Sequence, residues 1–345
     1  MSYFRKNIDE MTGYTPGEQL GKGYIKLNTN ENPYPPSPGV IEAIRAEAND
    51  SLKLYPAPFA DALREKAADS FNLSPENVMV GNGSDDLLTI AVRAFVGEGE
   101  TIAYPWPSYI LYPTLCRIQD AARLEVPFPS DYSLPEGLFG TDARLTFVNN
   151  PNSPTGTFVP VADVEQFASQ TSGVVLVDEA YVDFAEEDCL SLVSKHENVL
   201  VLRTFSKSFS LAGVRIGLAF STPEIIQGMM KVKDSYNADR LSIAAGAAAL
   251  DDMEHMTTNA AKIVTDRVKL TAELQARGFE VLPSQANFVM ARPPAPPARE
   301  LYEQLKERKI LVRYFDEPSV SDYVRITVGT PEQIAALLGA IDEIA

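Results

Sequence analysis

The sequence predicts an α/β protein: a mostly parallel sheet with helices on both faces, joined to a smaller α+β domain. Short, almost wholly apolar runs recur at residues 145–148, 174–177 and 199–202. Unbroken runs of this kind mark strands buried on both faces of a parallel sheet. Helix-like stretches separate them, the alternation that builds such sheets from βαβ units. Past about residue 255 the strands alternate in polarity instead, which suits an antiparallel sheet covered on one side. At 345 residues, the chain allows about 2.3 domains at roughly 150 residues each.

The first 40 residues are rich in turn formers and end in Asn30-Glu31-Asn32-Pro33-Tyr34-Pro35-Pro36-Ser37-Pro38. The prolines forbid a helix there, so residues 1–35 read as an extended arm that must pack on something else. Residues 36–256 form the large domain. In it a strand at 78–80 runs into Gly81-Asn82-Gly83-Ser84 and an apolar helix from about Asp85. A strand at 101–104, a helical stretch and a short strand at 124–126 precede the three apolar runs. Residues 257–345 form the small domain, with a charged helix over 257–277, strands near 287–291, 310–315 and 323–328, and a last helix from Pro331. The proline-rich run from Arg292 to Ala298 is a stiff loop inside it.

The 30 basic and 47 acidic residues leave a net charge of −17, which repels nucleic acid and anionic membrane. An anionic ligand must therefore be held by a few placed Arg or Lys residues and oriented backbone amides. Cys116 and Cys189 form no CxxC pattern, and His196 and His255 are too few for a multi-histidine centre. Neither a disulfide framework nor a metal is expected. Residues 1–30 hold no apolar stretch suited to a signal peptide, and no window of about 18 apolar residues occurs, so the expectation is a cytoplasmic protein.

The chemistry concentrates at two strand ends. Asp178 closes the run 174–177, at the carboxyl end of a buried strand, where open α/β sheets bind ligands. The next run leads into Thr204-Phe205-Ser206-Lys207, with Arg215 beyond. Alone, Asp178 reads as a turn cap and Lys207 as a solvated loop residue; together they are harder to dismiss. A desolvated lysine loses proton affinity and attacks carbonyls, and an ionised carboxylate is the partner a pyridinium nitrogen needs. The Gly81–Ser84 turn can present amides at a helix N-terminus to a phosphate. Position 86 is Asp rather than a third glycine and no GxxxxGK occurs, so dinucleotide and nucleotide readings lose ground. Asp85 and Asp86 would repel a phosphate and are expected to point away, with Ser206 and Arg215 supplying donors and charge.

These residues resemble a known family. Asp178-Glu179-Ala180-Tyr181, the Ser206-Lys207 segment with Arg215, and Asn150-Pro151-Asn152-Ser153-Pro154-Thr155-Gly156 are similar to the fold type I pyridoxal-phosphate aminotransferases. The segments from Tyr14 to Gln19 and from Leu27 to Pro33, Tyr55-Pro56, and the stretch from Val324 to Thr330 resemble the histidinol-phosphate aminotransferase branch, so the resemblance spans nearly the whole chain. It implies that Lys207 carries pyridoxal 5'-phosphate as an internal aldimine and then shuttles the substrate's Cα proton. Asp178 would keep the ring nitrogen protonated, Tyr181 would bond the phenolic oxygen, and Tyr109 would stack on the ring. The amides of Ser84 and Asp85, with Thr204, Ser206 and Arg215, would hold the phosphate. Many relatives carry Asn just before Pro-Thr-Gly; here Ser153 stands there, preceded by Asn152, and either could make that contact.

Period-two alternation puts Arg313 on one face with Leu311 and Phe315, where a partly desolvated guanidinium wants an anion. Arg325 points opposite to Val324, Ile326 and Val328. Internal salt bridges are the plain alternative. By resemblance Arg325 would bind the α-carboxylate of glutamate, Arg313 would assist with it or with the substrate phosphate, and Tyr14 and Asn32 would also touch substrate. Trp106 and the Tyr236-Asn237 pair are expected near the site, the pair approaching the phenolic oxygen. The implied protein is a homodimeric transaminase in which Tyr55 reaches across the interface. It would exchange the amino group of histidinol phosphate with 2-oxoglutarate to give imidazole-acetol phosphate and glutamate, in histidine biosynthesis. An aromatic amino acid aminotransferase and a threonine-phosphate decarboxylase remain open on the same scaffold.

Overall fold

The apolar runs assemble into one seven-stranded sheet. The computed structural model describes every residue except Met1, Thr12, Tyr14, Thr15, Pro16, Lys22 and Ala345. The sheet order is Val78–Gly81, Gly217–Phe220, Val199–Thr204, Val174–Asp178, Leu145–Asn149, Thr101–Trp106, Ala122–Pro127. All pairings are parallel except those of Gly217–Phe220, which runs against both neighbours. Alternate residues feed two cores: Val175, Val177, Val199 and Val201 face one layer, while Leu176, Leu200 and Leu202 face the other. Both faces are thus covered, which is why the strands read as unbroken apolar runs. The parallel strands therefore deliver Asn149, Asp178 and Thr204 to one edge.

The small sheet has the order Arg313–Tyr314, Val324–Thr327, Phe288–Arg292, Glu280–Val281, antiparallel throughout. Its inner face buries Val289, Ala291, Val324 and Ile326 against the helices Met253–Ala276, Ala298–Glu307 and Pro331–Ile344, while Phe288 lies on the other face with Arg325 and Thr327. The single strand expected over 310–315 is instead two. Ile310–Leu311 pairs in parallel with Ile25–Lys26 of the arm, and Arg313–Tyr314 joins the small sheet. Ile310, Leu311 and Val312 are all buried and Arg313 and Tyr314 are both half-buried, so burial does not alternate along this stretch, which changes partner at Arg313. The arm is not wholly extended, since Lys6–Asp9 makes a helical turn. It docks by adding Ile25–Lys26 to the strand Ile310–Leu311 and burying Leu27 in the small core. Residues 28–30 then run along the seam between the two sheets. Among the described residues no helix is long and apolar enough to cross a membrane.

Candidate active site

One cavity opens where the strand ends of the large sheet meet the arm and the edge of the small sheet; Asp178, Lys207, Arg215, Arg313 and Arg325 all line it. Asp178 is 3% exposed. Its Oδ2 accepts the Tyr112 hydroxyl at 2.9 Å, while its Oδ1, equally buried, accepts no hydrogen bond among the described residues. Burial pushes the Asp178 carboxyl up to about 6; the Tyr112 bond pulls against this and the Asp85 charge adds to it. A buried carboxylate oxygen with no donor is costly. This one faces a cavity that a protonated ring nitrogen could enter.

Lys207 follows the strand Val199–Thr204. Its Nζ donates to the carbonyl of Thr29 at 3.3 Å and lies 5.5 Å from the centre of the Tyr181 ring. Tyr181 is itself wedged edge-on against Phe288, and its hydroxyl accepts from Asn30 Nδ2 at 2.9 Å. Tyr109, at the opposite wall, stands edge-on to Tyr112, which stacks on Phe147.

The anion-binding corner is built at the N-terminus of the helix Ser84–Phe95. Gly83, its N-cap, has φ +82°, and a Cβ there would lie 2.5 Å from Arg215 Nη2. A Cβ at Gly217 would meet the backbone of Gly83 and Ser84 at 2.7 Å. Two glycines thus let the reversed strand and the guanidinium close on the helix end. Arg215 Nη1 donates to Ser206 Oγ at 3.2 Å, and Thr204 and Ser84 complete the wall. Asp86 does turn away, accepting from the Asn82 amide at 2.9 Å and from Asn237 Nδ2 at 3.1 Å. Asp85 does not. Its Oδ2 lies 3.4 Å from Arg215 Nη2 and its Oδ1 accepts the Tyr109 hydroxyl at 3.2 Å. The guanidinium draws the carboxylate inward.

Arg313 and Arg325 stand directly opposite each other in register on neighbouring strands. Both guanidinium groups lie 5.2 Å from the Phe315 ring centre. Like charges placed so are unfavourable, and an anion held between them relieves the repulsion. Arg325 is oriented by Ser153 Oγ at 3.2 Å and the Asn28 carbonyl at 3.1 Å.

Several expected residues lie elsewhere. The Asn152 amide is consumed by the Pro107 carbonyl and Thr155 Oγ1, and its oxygen by Ser108, so Ser153 and Asn149 face the cavity instead. Asn32 donates to the Ser208 carbonyl and accepts from the Tyr34 amide, bracing the loop after Lys207 rather than lining the cavity. Tyr55 is 77% exposed and stacks on Tyr236 at 4.4 Å on the outer surface. Asn237 bonds Val80 and Asp86, so that pair does not reach Tyr181. Trp106 lies in an adjoining groove, its Nε1 3.5 Å from Glu317. Tyr14 falls outside the described residues. The sequence reading missed Asn30, Tyr112, Asn149 and Phe315. Tyr112 was findable, since it follows Tyr109 by three residues and so shares its side of the chain's turn into a helix.

The fold is that of the aminotransferases, and residues 22–341 match the family "Aminotransferase class I and II", to which this chain belongs. Within it, the chain is 44% identical to histidinol-phosphate aminotransferase 1 of Trichormus variabilis, over 99% of both chains. It is 46% identical to the histidinol-phosphate aminotransferase of Syntrophotalea carbinolica, over 100% of both. Among solved structures, histidinol-phosphate aminotransferase from Sinorhizobium meliloti in complex with pyridoxal-5'-phosphate superposes with a TM-score of 0.91 at 28% identity, covering 100% of this chain and 98% of that one.

Proposed function

We propose that this chain is a pyridoxal-phosphate aminotransferase that moves the amino group of histidinol phosphate to 2-oxoglutarate, giving imidazole-acetol phosphate and glutamate in histidine biosynthesis. One observation carries the cofactor: the buried, donor-free Oδ1 of Asp178 shares a cavity with the Lys207 amine and the glycine-lined Arg215 corner. The residues fit pyridoxal 5'-phosphate at each end. When bound, it supplies an electron sink for the carbon that bears the amine.

The chain's own groups do the rest. Asp178 holds a proton on the ring nitrogen. Arg215, Ser206, Thr204 and the Ser84 and Asp85 amides grip the phosphate, and Tyr109 covers the ring. Lys207 Nζ, in the same cavity, would hold the cofactor by its aldehyde end and would serve as the base that moves the proton at the substrate's amine-bearing carbon. Tyr181, with Ser153 in place of Asn152, bonds the phenolic oxygen. Arg325 and Arg313 bind the anionic ends of both substrates, since a guanidinium fork suits carboxylate and phosphate alike.

The full-length relatives favour histidinol phosphate over an aromatic amino acid or threonine phosphate. The test is a single half-reaction followed by cofactor colour, with histidinol phosphate, phenylalanine and tyrosine offered separately. Histidinol phosphate should react with by far the highest efficiency, and faster reaction of phenylalanine would refute the substrate assignment. We also place the protein in the cytoplasm as a homodimer. Cys116 and Cys189 are buried free thiols, which suits a reducing compartment. Leu52, Leu54, Tyr55 and Phe59 expose apolar surface along one segment, which suits a partner subunit with Tyr55 reaching its site.

A further inference from the structure

We infer that Asn30 is a positioning residue that fixes the direction of the Tyr181 hydroxyl proton, through a hydrogen-bond chain that runs from Thr327 through the Asn30 amide to the Tyr181 hydroxyl. The inference rests on the reading of Tyr181 as the partner of the cofactor's phenolic oxygen.

The chain begins on the small sheet. Thr327 Oγ1 accepts the backbone N–H of Asn30 at 3.0 Å, and its own hydroxyl proton goes to Asn30 Oδ1, also at 3.0 Å. With Oδ1 occupied as an acceptor, the other end of the amide can only donate. That end, Nδ2, lies 2.9 Å from the Tyr181 hydroxyl. A phenol has a single proton, and an oxygen already accepting from Asn30 must send that proton elsewhere. Tyr181 lines the cavity, so the proton is directed into it. Asn30, Thr327 and Tyr181 are 1%, 2% and 7% exposed, so bulk water offers little competing partnership. The Asn287 amide locks the Asn30 carbonyl at 3.0 Å, and Asn30 holds φ +55°, a left-handed conformation that Asn tolerates better than most residues.

The same three arm residues touch three functional groups. Asn28 accepts from Arg325, Thr29 accepts from Lys207, and Asn30 donates to Tyr181. Thr327 lies two residues beyond Arg325 on one strand. The arm thus links the anion-binding strand to the phenol that faces the cofactor.

A donor aimed at the phenolic oxygen stabilises negative charge there and so favours the deprotonated form of the bound cofactor. The pH midpoint of its visible absorption change is then held low, and losing the donor raises it. In Asn30→Asp, the introduced carboxylate accepts the Tyr181 proton and pulls it out of the cavity. The loaded Asn30→Asp protein should show a midpoint raised by about one pH unit. In a Tyr181→Phe background the same substitution should raise it much less, because only the added charge remains. Asn30→Gly, which suits the left-handed backbone if Asn30→Asp folds poorly, should raise the midpoint by a smaller amount. Equal rises in both backgrounds, or no rise with Asn30→Asp and Asn30→Gly, would overturn the inference alone. An unmoved midpoint in Tyr181→Phe itself would overturn the Tyr181 assignment and the inference with it.

Discussion

Tyr112 donates its hydroxyl to Oδ2 of Asp178 at 2.9 Å, offering one neutral hydrogen bond to a carboxylate whose other oxygen has no donor among the described residues. The bond only partly offsets burial, which lifts the carboxyl from 3.8 to about 6. The folded value lies above the unfolded one. The stabilising contribution is therefore complete below the ordinary carboxylate range and lost as pH rises through about 6, a loss of about 3 kcal/mol by neutral pH. Asp178→Asn should raise the melting temperature of the cofactor-free protein above pH 6, with the gap closing below about pH 4. With cofactor the order should reverse, because only an ionised carboxylate pairs with a protonated ring nitrogen. A gap that ignores pH would show that Asp178 is not the titrating group.

Lys207→Ala should lower turnover by at least about 10⁴-fold, the upper range for a positioned acid–base group. The Arg215 and Ser206 contacts remain in this variant, so it should still bind cofactor, but reversibly and without the visible band of the lysine-linked form. Dialysis followed by absorbance checks both statements. An active variant would mean another group moves the proton.

The parallel core was legible in the sequence because strands buried on both faces carry no polar interruption. Gly217–Phe220 escaped notice because it has four residues and opens on a glycine, a signal too short to tell from a turn. Asp178, Lys207 and Arg215 were legible as reactive types at the ends of such runs. Asn30 was not, although it lies within the family-like stretch from Leu27 to Pro33. Its partner Thr327 is 297 residues away, and nothing local ranks Asn30 above Asn32. The inward turn of Asp85 is hidden in the sequence for a related reason: its partner Arg215 is 130 residues away, and that attraction outweighs repulsion from a phosphate in setting the side chain's direction. The choice between Asn152 and Ser153 was open in the sequence because neighbouring side chains in the proline-bounded turn point to different sides; Asn152 bonds Ser108, Pro107 and Thr155, and Ser153 lines the cavity.

Arg325→Lys should reduce kcat/KM for glutamate about 10- to 100-fold, the loss expected for a charge-assisted fork. Ser153 and the Asn28 carbonyl orient both terminal nitrogens, a geometry an ammonium cannot reproduce. Histidinol phosphate should suffer less, since its phosphate can also draw on Arg313. Arg313→Lys should show the opposite bias. Parallel kcat/KM measurements with the two amino donors decide it, and equal losses for both donors in both variants would dissolve the division of labour.

Gly83→Ala and Gly217→Ala should fail differently. The first places a methyl against the movable end of Arg215 at 2.5 Å and strains a left-handed backbone, so cofactor affinity should fall at least about tenfold through the displaced guanidinium. The second meets backbone at 2.7 Å, which cannot step aside. Overpacking of that kind costs about 1–3 kcal/mol and should appear as a lower melting temperature with or without cofactor. A cofactor titration beside a thermal melt for each variant separates the two outcomes.

Asp85→Asn tests whether the chain carries its own competitor for the phosphate corner. The carboxylate sits 3.4 Å from Arg215 Nη2, and any phosphate gripped by that guanidinium must share it with a negative neighbour. Both side chains are nearly half exposed, at 45% and 44%, so screening limits the competition to about 1 kcal/mol at most. Cofactor-free Asp85→Asn should therefore bind inorganic phosphate up to about fivefold more tightly at low salt, and the gain should shrink as salt is added. The same substitution removes a charge that helps raise the Asp178 carboxyl. The pH at which Asp178 ionises should fall in this variant, moving the stability change argued for Asp178→Asn to lower pH. Tighter phosphate binding without that movement would confine Asp85 to the phosphate corner, whereas unchanged binding at low salt would show that its contact with Arg215 does not compete at all.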